Sequence, residues 1–219
     1  MNARILSLVS HYTTAFGAVF MLGTGTSLAL NLLTDPGFES GTPTTGNTFL
    51  GWTVGESQNV AFSQDYAHSG VWSMKVSVPG NFYFAGAWEF VSNAVPGTAY
   101  TLNGWGLTPT QISSFGIAAL QIQFMDGNFQ PLGTVETGPG DLAQSASIDS
   151  SSAPGTWIPL SVTATAPDNS TYMFVQLGVD YYSAATVYFD DLSLSPVPEP
   201  AAFMIFGLGA AALLWMRYR

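Results

Sequence analysis

The chain has 219 residues, of which 4 are basic and 14 acidic, and its formal net charge is −10 at pH 7. Such an acidic surface repels nucleic acid and anionic lipid, and it suits cations and neutral partners such as glycans. The chain has no cysteine, which excludes disulfide bonds, thiol catalysis and sulfur-ligated metal sites.

Residues 1–29 are predicted to form a signal peptide helix. Arg4 supplies the charged start, and the following stretch to Leu28 is uncharged at neutral pH and largely apolar or small. Ser27 and Ala29 are small residues at the −3 and −1 positions of a cleavage site, which leaves Leu30 as the new N-terminus. An uncleaved N-terminal anchor is the alternative, and either case exports the rest of the chain.

Residues 30–196 are predicted to form one all-β domain, because apolar residues alternate with polar ones in several short runs. Turn sequences separate the runs, and no amphipathic helix is visible, which favours a β-sandwich. The inward-facing sets are Trp72, Met74, Val76 and Val78; Leu120, Ile122 and Phe124; Leu160, Val162 and Ala164; and Met173, Val175, Leu177 and Val179.

Two connections carry clear sequence signals. Asp126-Gly127 lies between apolar runs and predicts a tight hairpin. The stretch 136–153 is rich in Ser, Gly, Asp and Ala and predicts a long loop. The domain holds one basic residue, Lys75, and thirteen of the fourteen acids, so its own net charge is −12.

Residues 197–219 form a separate tail. Val197, Pro198, Glu199 and Pro200 should be extended, because proline lacks a backbone donor and disfavours helix before it. Ala201 to Met216 carries no charge and would span roughly 24 Å as a helix. A hydrocarbon core is about 30 Å thick, so this short transmembrane helix needs local thinning of the bilayer. The alternative is a buried C-terminal helix of the domain.

The tail resembles the PEP-CTERM sorting signal, in which a Pro-Glu-Pro motif, a transmembrane helix and an Arg-containing end follow one another. Here these are Val197-Pro198-Glu199-Pro200, the apolar run, and Arg217 and Arg219. The resemblance implies processing by an exosortase, a membrane-embedded cysteine protease of Gram-negative bacteria. It also implies transient anchoring in the membrane and a final place in the cell envelope or in an exopolysaccharide biofilm matrix.

The domain resembles the jelly-roll carbohydrate-binding modules that have a galactose-binding-like sandwich. The resemblance rests on the order of several short motifs over residues 30–195. They are Asp35-Pro36-Gly37-Phe38-Glu39-Ser40-Gly41, Gly51-Trp52-Thr53, His68-Ser69-Gly70-Val71-Trp72-Ser73-Met74-Lys75-Val76, Pro96-Gly97-Thr98-Ala99-Tyr100-Thr101-Leu102, Gly155-Thr156-Trp157-Ile158-Pro159-Leu160 and Val187-Tyr188-Phe189-Asp190-Asp191-Leu192-Ser193-Leu194. The same fold serves many functions, so it does not decide the function alone.

The same resemblance implies a structural calcium ion near the first and last strands. The matching residues are Glu39 and Asp190, and Asp65 is a further candidate ligand. Strand alternation predicts Tyr188, Asp190, Leu192 and Leu194 on one inward side, where a carboxylate needs a partner. In the alternative, Glu39 and Asp190 simply accept hydrogen bonds from backbone and hydroxyl groups.

Tyr83, Trp88 and Trp105 are the candidates for a glycan-binding face, because sugars stack their apolar sides on aromatic rings. A second geometry would use Tyr181-Tyr182 at the edge of the sandwich. Trp72 and Trp157 are predicted to lie in the core, and Trp52 is predicted to be half-buried.

Three functions remain open at this point. The sequence favours a non-catalytic module that associates with a neutral glycan or exopolysaccharide. A structural matrix protein without a small ligand is the second hypothesis. An enzyme is the third hypothesis. After signal removal His68 is the one imidazole that could act as a base for a nucleophilic Ser or Thr. Glycoside hydrolysis needs a pair of carboxylates, and nothing in the sequence pairs Glu56, Glu89, Asp126 and Glu136.

Overall fold

The computed structural model describes residues 30–41, 48–49, 51–55, 59–79, 84–113, 116–136, 142–180 and 184–198. The predicted signal peptide and the tail from Glu199 onward lie outside these residues, as do Tyr83 and Tyr181-Tyr182. In the described part of the chain no helix is long and apolar enough to cross a membrane.

Twelve strands lie in the described residues. They are β1 (Thr48–Phe49), β2 (Trp52–Gly55), β3 (Val60–Ser63), β4 (Ser73–Val78), β5 (Phe84–Ser92), β6 (Ala99–Leu107), β7 (Ile117–Met125), β8 (Pro131–Gly133), β9 (Ala143–Gln144), β10 (Ile158–Thr165), β11 (Tyr172–Asp180) and β12 (Ala185–Pro196).

The strands form two antiparallel sheets. The seven-stranded sheet has the order β1-β2-β5-β11-β7-β8, with β9 also paired to β7, and the five-stranded sheet has the order β10-β6-β12-β4-β3. The inner faces of the two sheets share one hydrophobic core. The prediction of an all-β sandwich is confirmed.

The core follows the alternation in the sequence. Met74, Leu120, Ile122, Phe124 and Met173 are fully buried, and the polar residues between the buried positions lie on the outer faces of the sheets. All four predicted inward sets therefore pack inside the sandwich, apart from Trp72, which is half-buried beside Gly41.

The two predicted connections are only partly as expected. The hairpin joins β7 and β8 through residues 126–130, with Asp126 Oδ1 accepting the amides of Asn128 and Gln130 at 2.8 Å each. It is therefore wider than a two-residue turn. The stretch 136–153 is not a plain loop, because β9 pairs with β7 and Ile148 bridges Ala118.

A bulge in β12 overturns the predicted alternation at its centre. The register with β6 shifts between Asp190 and Ser193, and Asp191 has a φ of 49°. Phe189 and Leu192 both pack into the core, so the side chains of Tyr188 and Asp190 lie on the outer face. The sequence pattern could not show this, because a bulge adds one residue without changing the polarity pattern.

The first described segment fastens onto β12. Leu32 donates its amide to Leu194 at 2.9 Å, and Leu192 donates to Pro36 at 2.9 Å. The Asn31 side-chain amide donates to the Leu192 carbonyl at 2.9 Å, and its oxygen accepts the Leu194 amide at 3.0 Å. The N-terminal segment and the last strand are therefore held side by side.

Candidate functional site

Asp190 is the most deeply buried carboxylate described, and it lies under the segment that joins β3 to β4. Its side chain is 0% exposed. Oδ2 accepts the amides of His68 at 2.7 Å and Ser69 at 3.3 Å, and Oδ1 accepts the amide of Asp191 at 2.7 Å. Burial raises the pKa of Asp190 to about 6, although these three hydrogen bonds lower it.

Asp191 contacts the side chains of the same two residues, His68 and Ser69. Its Oδ2 lies 2.6 Å from His68 Nδ1, and its Oδ1 accepts the Ser69 hydroxyl at 2.6 Å. The imidazole of His68 stacks on Trp105 with ring centroids 4.1 Å apart. Because the Ser69 hydroxyl donates to Asp191 and not to His68, the cluster does not form a nucleophile–base pair.

Glu39 binds the next turn of the same segment. Its Oε1 accepts the amides of Val71 at 2.9 Å and Trp72 at 3.0 Å. Gly70 has a φ of +61°, and a Cβ on it would lie 2.2 Å from Glu39 Oε1. Glycine is therefore required at this position both by the backbone conformation and by the close approach of the carboxylate.

Asp65 is engaged elsewhere on the outer face. Its Oδ2 accepts Lys75 Nζ at 2.8 Å and the Tyr188 hydroxyl at 3.1 Å. The hydrogen bond from Lys75 holds the pKa of Asp65 below its usual value. This exposed ion pair contributes little to stability.

The three predicted calcium ligands all accept hydrogen bonds from other groups of the chain. Calcium takes six to eight oxygen ligands, whereas Glu39 and Asp190 direct their oxygens at backbone amides and Asp65 pairs with Lys75. Among the described residues, no group of three or more acidic, His or Cys side chains could hold a metal ion. The residues fit the hydrogen-bonding alternative, and calcium stays a prediction.

The carboxylates considered for hydrolysis lie in separate parts of the sandwich. Glu89 is buried on the inner side of β5 and accepts the Thr34 amide through both oxygens at 3.1 Å, and burial raises its pKa. Asp126 lies in the β7–β8 connection, and Glu136 accepts the Thr165 amide. Glu56 lies outside the described residues.

A continuous line of aromatic rings runs along the outer face of the seven-stranded sheet. Neighbouring ring centroids are 6.0 Å apart for Trp88 and Phe174, 5.2 Å for Phe174 and Phe90, 5.7 Å for Phe90 and Phe129, and 4.4 Å for Phe129 and Tyr172. We call these five residues the aromatic row. Phe90 is 45% and Phe129 50% exposed, so the row offers ring faces to solvent.

Amide side chains continue the same face beside the aromatic row. Gln176 lies opposite Trp88 on one side and opposite Gln121 on the other. Gln121 Nε2 donates to Gln144 Oε1 at 2.7 Å, which fixes both amides on the sheet surface. Aromatic rings next to amide donors and acceptors form a surface that can stack a sugar ring and bind its hydroxyls.

The structure separates the predicted glycan-facing residues. Trp88 lies in the aromatic row on β5, but Trp105 lies on β6 in the other sheet, stacked on His68. Trp88 and Trp105 therefore cannot line one glycan-binding face as predicted, because β5 and β6 belong to opposite layers. Tyr83 and Tyr181-Tyr182 lie outside the described residues.

Other tryptophans also differ from expectation. Trp52 is fully buried rather than half-buried, and its Nε1 donates to the Thr34 carbonyl at 2.9 Å. Trp72 and Trp157 are half-buried at the surface rather than in the core. A motif position alone does not tell how deeply a large ring lies.

The remaining members of the aromatic row are not among the sequence candidates, although a signal is present. Alternation assigns Met173, Val175 and Leu177 to the core, so Tyr172 and Phe174 have to lie on the outer face. An outward strand position occupied by an aromatic residue is the signal that identifies Tyr172 and Phe174. Phe129 lies in the β7–β8 connection, where alternation gives no such signal.

The tail matches a known protein-sorting motif. The PEP-CTERM protein-sorting motif matches residues 196–218, in agreement with the sequence resemblance. The motif indicates an exported protein that is processed at the membrane. No curated protein matches the chain.

Solved structures with the same sandwich include carbohydrate-binding modules. TmCBM61 in complex with β-1,4-galactotriose has a TM-score of 0.52 at 15% identity, over 77% of this chain and 100% of its own. The CBM22-1 xylan-binding domain of Paenibacillus barcinonensis Xyn10C has a TM-score of 0.52 at 16% identity, over 77% and 96%.

An enzyme also contains this sandwich. The arabinose-bound α-L-arabinofuranosidase MgGH51 has a TM-score of 0.53 at 24% identity, over 76% of this chain but 26% of its own length. At these identities the likeness establishes the fold. The chain thus carries a PEP-CTERM sorting motif behind a two-sheet β-sandwich of the kind found in carbohydrate-binding modules.

Proposed function

We propose that this is an exported, non-catalytic protein whose sandwich binds a neutral polysaccharide on the outer face of the seven-stranded sheet. The observation that carries the proposal is the aromatic row with Gln121 and Gln176 beside it. An exosortase would remove the tail, and the domain would then belong to the envelope or the biofilm matrix of a Gram-negative bacterium.

The chemistry of the face suits a neutral sugar polymer. Ring faces such as those of Phe90 and Trp88 can stack on the apolar sides of sugar rings, and the glutamine amides can donate to and accept from hydroxyls. The domain carries a single lysine, so an anionic polymer would be repelled. Galactan and xylan are the first polysaccharides to test, because two modules with the same fold are described with galactotriose and as xylan-binding.

Affinity electrophoresis tests the proposal. Residues 30–198 are run through native gels that contain galactan, xylan, a β-glucan or the exopolysaccharide of the host. We expect retardation in at least one gel and little change between low and moderate salt, because stacking and neutral hydrogen bonds are not screened as ion pairs are. Unretarded migration in every gel would contradict the proposal.

A structural matrix role is the second candidate, and the five-stranded sheet favours it. Its outer face carries hydroxyl and amide pairs across strands: Thr101 with Thr163 at 2.8 Å, Ser161 with Asn103 at 2.7 Å, and Ser77 with Thr186 at 2.8 Å. These groups satisfy one another, and the rings on this face pack on one another, Tyr66 on Tyr188 and Trp105 on His68. The role would be preferred if no glycan retards the domain.

Tail processing is tested separately. In a host with an active exosortase, we expect the intact mass of the exported protein to lack Phe203 to Arg219. An intact mass that still includes this segment would contradict processing without affecting the glycan proposal.

A further inference from the structure

The folded domain and the sorting motif adjoin without a spacer. β12 stays paired to β6 as far as Pro196, opposite Tyr100, and Val197 then donates its amide to Ala99 at 2.8 Å. The matched motif begins at residue 196. Three residues, 198–200, separate this last bond from the apolar run, and an extended chain of that length spans about 10 Å.

Several chain segments end beside Val197. Thr165 at the end of β10 pairs with Ala99 at the start of β6. Val135 donates its amide to the Thr165 carbonyl at 3.2 Å, and the turn that contains Val95 is tied to Ala166 through the Gly97 amide at 2.8 Å. These contacts bring Val95, Val135 and Val197 to one end of the sandwich.

Leu30 lies at the same end. The segment that follows it runs antiparallel to β12, with Leu32 bonded to Leu194, so Leu30 points toward the end from which the tail leaves. We call Leu30, Val95, Val135 and Val197 the tail-end face.

The tail-end face carries four exposed apolar side chains. Leu30 is 78%, Val135 61%, Val95 54% and Val197 40% exposed. These four account for half of the large hydrophobic residues that are exposed among those described. Isolated surface valines need no explanation, but a group at the point where a membrane tail departs does.

We propose that the tail-end face lies in the headgroup layer of the bilayer while the tail is inserted. The proposal rests on the tail acting as a membrane anchor. The headgroup layer is roughly 5–7 Å thick on each side of the hydrocarbon core, and a tether of about 10 Å keeps the end of the sandwich at that depth. The sandwich would then stand with its strands leading away from the membrane.

Charge restricts the kind of lipid. Asp126, Glu136 and Asp168 lie in connections at this end, and Glu199 lies in the tether. The domain's one basic residue, Lys75, pairs with Asp65. A zwitterionic phosphatidylcholine surface therefore suits the tail-end face better than an anionic one.

Site-specific fluorescence in vesicles tests the proposal, and the absence of native cysteine makes single labels possible. The chain from residue 30 to residue 219, without the predicted signal peptide, carries Val95→Cys or Val135→Cys, labelled with an environment-sensitive dye. It is reconstituted into phosphatidylcholine vesicles that contain headgroup spin labels. Ala153→Cys is the matched control, because Ala153 is exposed near Gly155, which bonds to Thr108 at the opposite end of β6.

We expect a blue shift and loss of fluorescence at positions 95 and 135 and neither at position 153. A chain that floats with the vesicles but shows water-like emission at all three positions would overturn the proposed face while leaving the anchor intact. A chain of residues 30–219 that does not float with vesicles would overturn the anchor and, with it, the proposed face. Glycan retardation in the gels is independent of both outcomes.

Discussion

The two outer faces of the sandwich use their side chains differently. On the five-stranded sheet, Glu39 and Asp190 accept backbone amides from the segment between β3 and β4, and Trp105 supports His68 by stacking. On the seven-stranded sheet, the aromatic row and Gln121 face outward without a covering segment among the described residues. Carboxylates in a motif can thus serve the fold, while the aromatic row, on which the proposed binding rests, lies on the opposite layer.

Removing the buried carboxylate should have the largest effect on stability. Asp190→Ala leaves the amides of His68, Ser69 and Asp191 without their acceptor, and we expect a loss of about 1–3 kcal/mol in unfolding free energy. Urea denaturation measures it, and Asp149→Ala, which removes an exposed acceptor of Ser151, should cost about 0.5 kcal/mol or less.

The same variant separates the two roles of Asp190. The hydrogen-bonding role predicts the same loss with and without a chelator, and an unchanged thermal midpoint of the wild type on chelation. A wild-type midpoint that falls with chelator and recovers with added calcium would instead establish the predicted calcium ion.

Adding a Cβ at Gly70 should have the next largest effect on stability. Gly70→Ala forces alanine to adopt a left-handed backbone conformation, which costs roughly 1–2 kcal/mol. The added Cβ also displaces the Glu39 carboxylate. Gly155→Ala is the matched control, because Gly155 has a φ of +71° and a Cβ added there would meet nothing within 4 Å. Urea denaturation of the two variants should show the larger loss of unfolding free energy for Gly70→Ala. Equal losses would mean that Glu39 does not hold the turn.

Truncating a ring should affect binding on one face only. Trp88→Ala is expected to weaken retardation by the polysaccharide about tenfold, which corresponds to about 1.4 kcal/mol, because it removes one end of the aromatic row. Trp105→Ala on the other sheet should leave retardation unchanged and lower stability by about 0.5–1.5 kcal/mol through the lost stacking with His68. The reverse result would place the ligand on the five-stranded side.

Changing the pH should have the smallest net effect on stability, because the shifted pKa values act in opposite directions. The pKa of Asp190 is raised to about 6 from 3.8, so the folded state binds more protons than the unfolded state between these values. Its contribution to stability is therefore full below pH 4 and is lost as the pH rises through 6. Asp65 and Asp149, whose pKa values are lowered, contribute in the opposite direction.

Asp190→Asn isolates this contribution, because it removes the titration of that one group. We expect the decline between pH 4 and 6 in the free energy of unfolding to be smaller in the variant than in the wild type. Identical profiles would show that Asp190 does not titrate in this range.

The sequence predicts the layers of the sandwich better than it predicts its surfaces. Alternation identifies the buried sets around Met74, Leu120 and Val175, because burial of one face imposes a period of two. It fails at the β12 bulge, where one inserted residue places Asp190 outside the core. It also cannot assign Trp88 and Trp105 to different sheets, since the pairing of distant strands leaves no local pattern.

The most direct test of the central claim is amide NMR mapping of residues 30–198 with soluble fragments of whichever polysaccharide retards the domain. We expect chemical-shift changes concentrated on β5, β7 and β11 around Trp88, Phe174 and Gln176, with few in residues 64–72. Shifts confined to residues 64–72 and to Trp105 would contradict it and would assign binding to the five-stranded sheet.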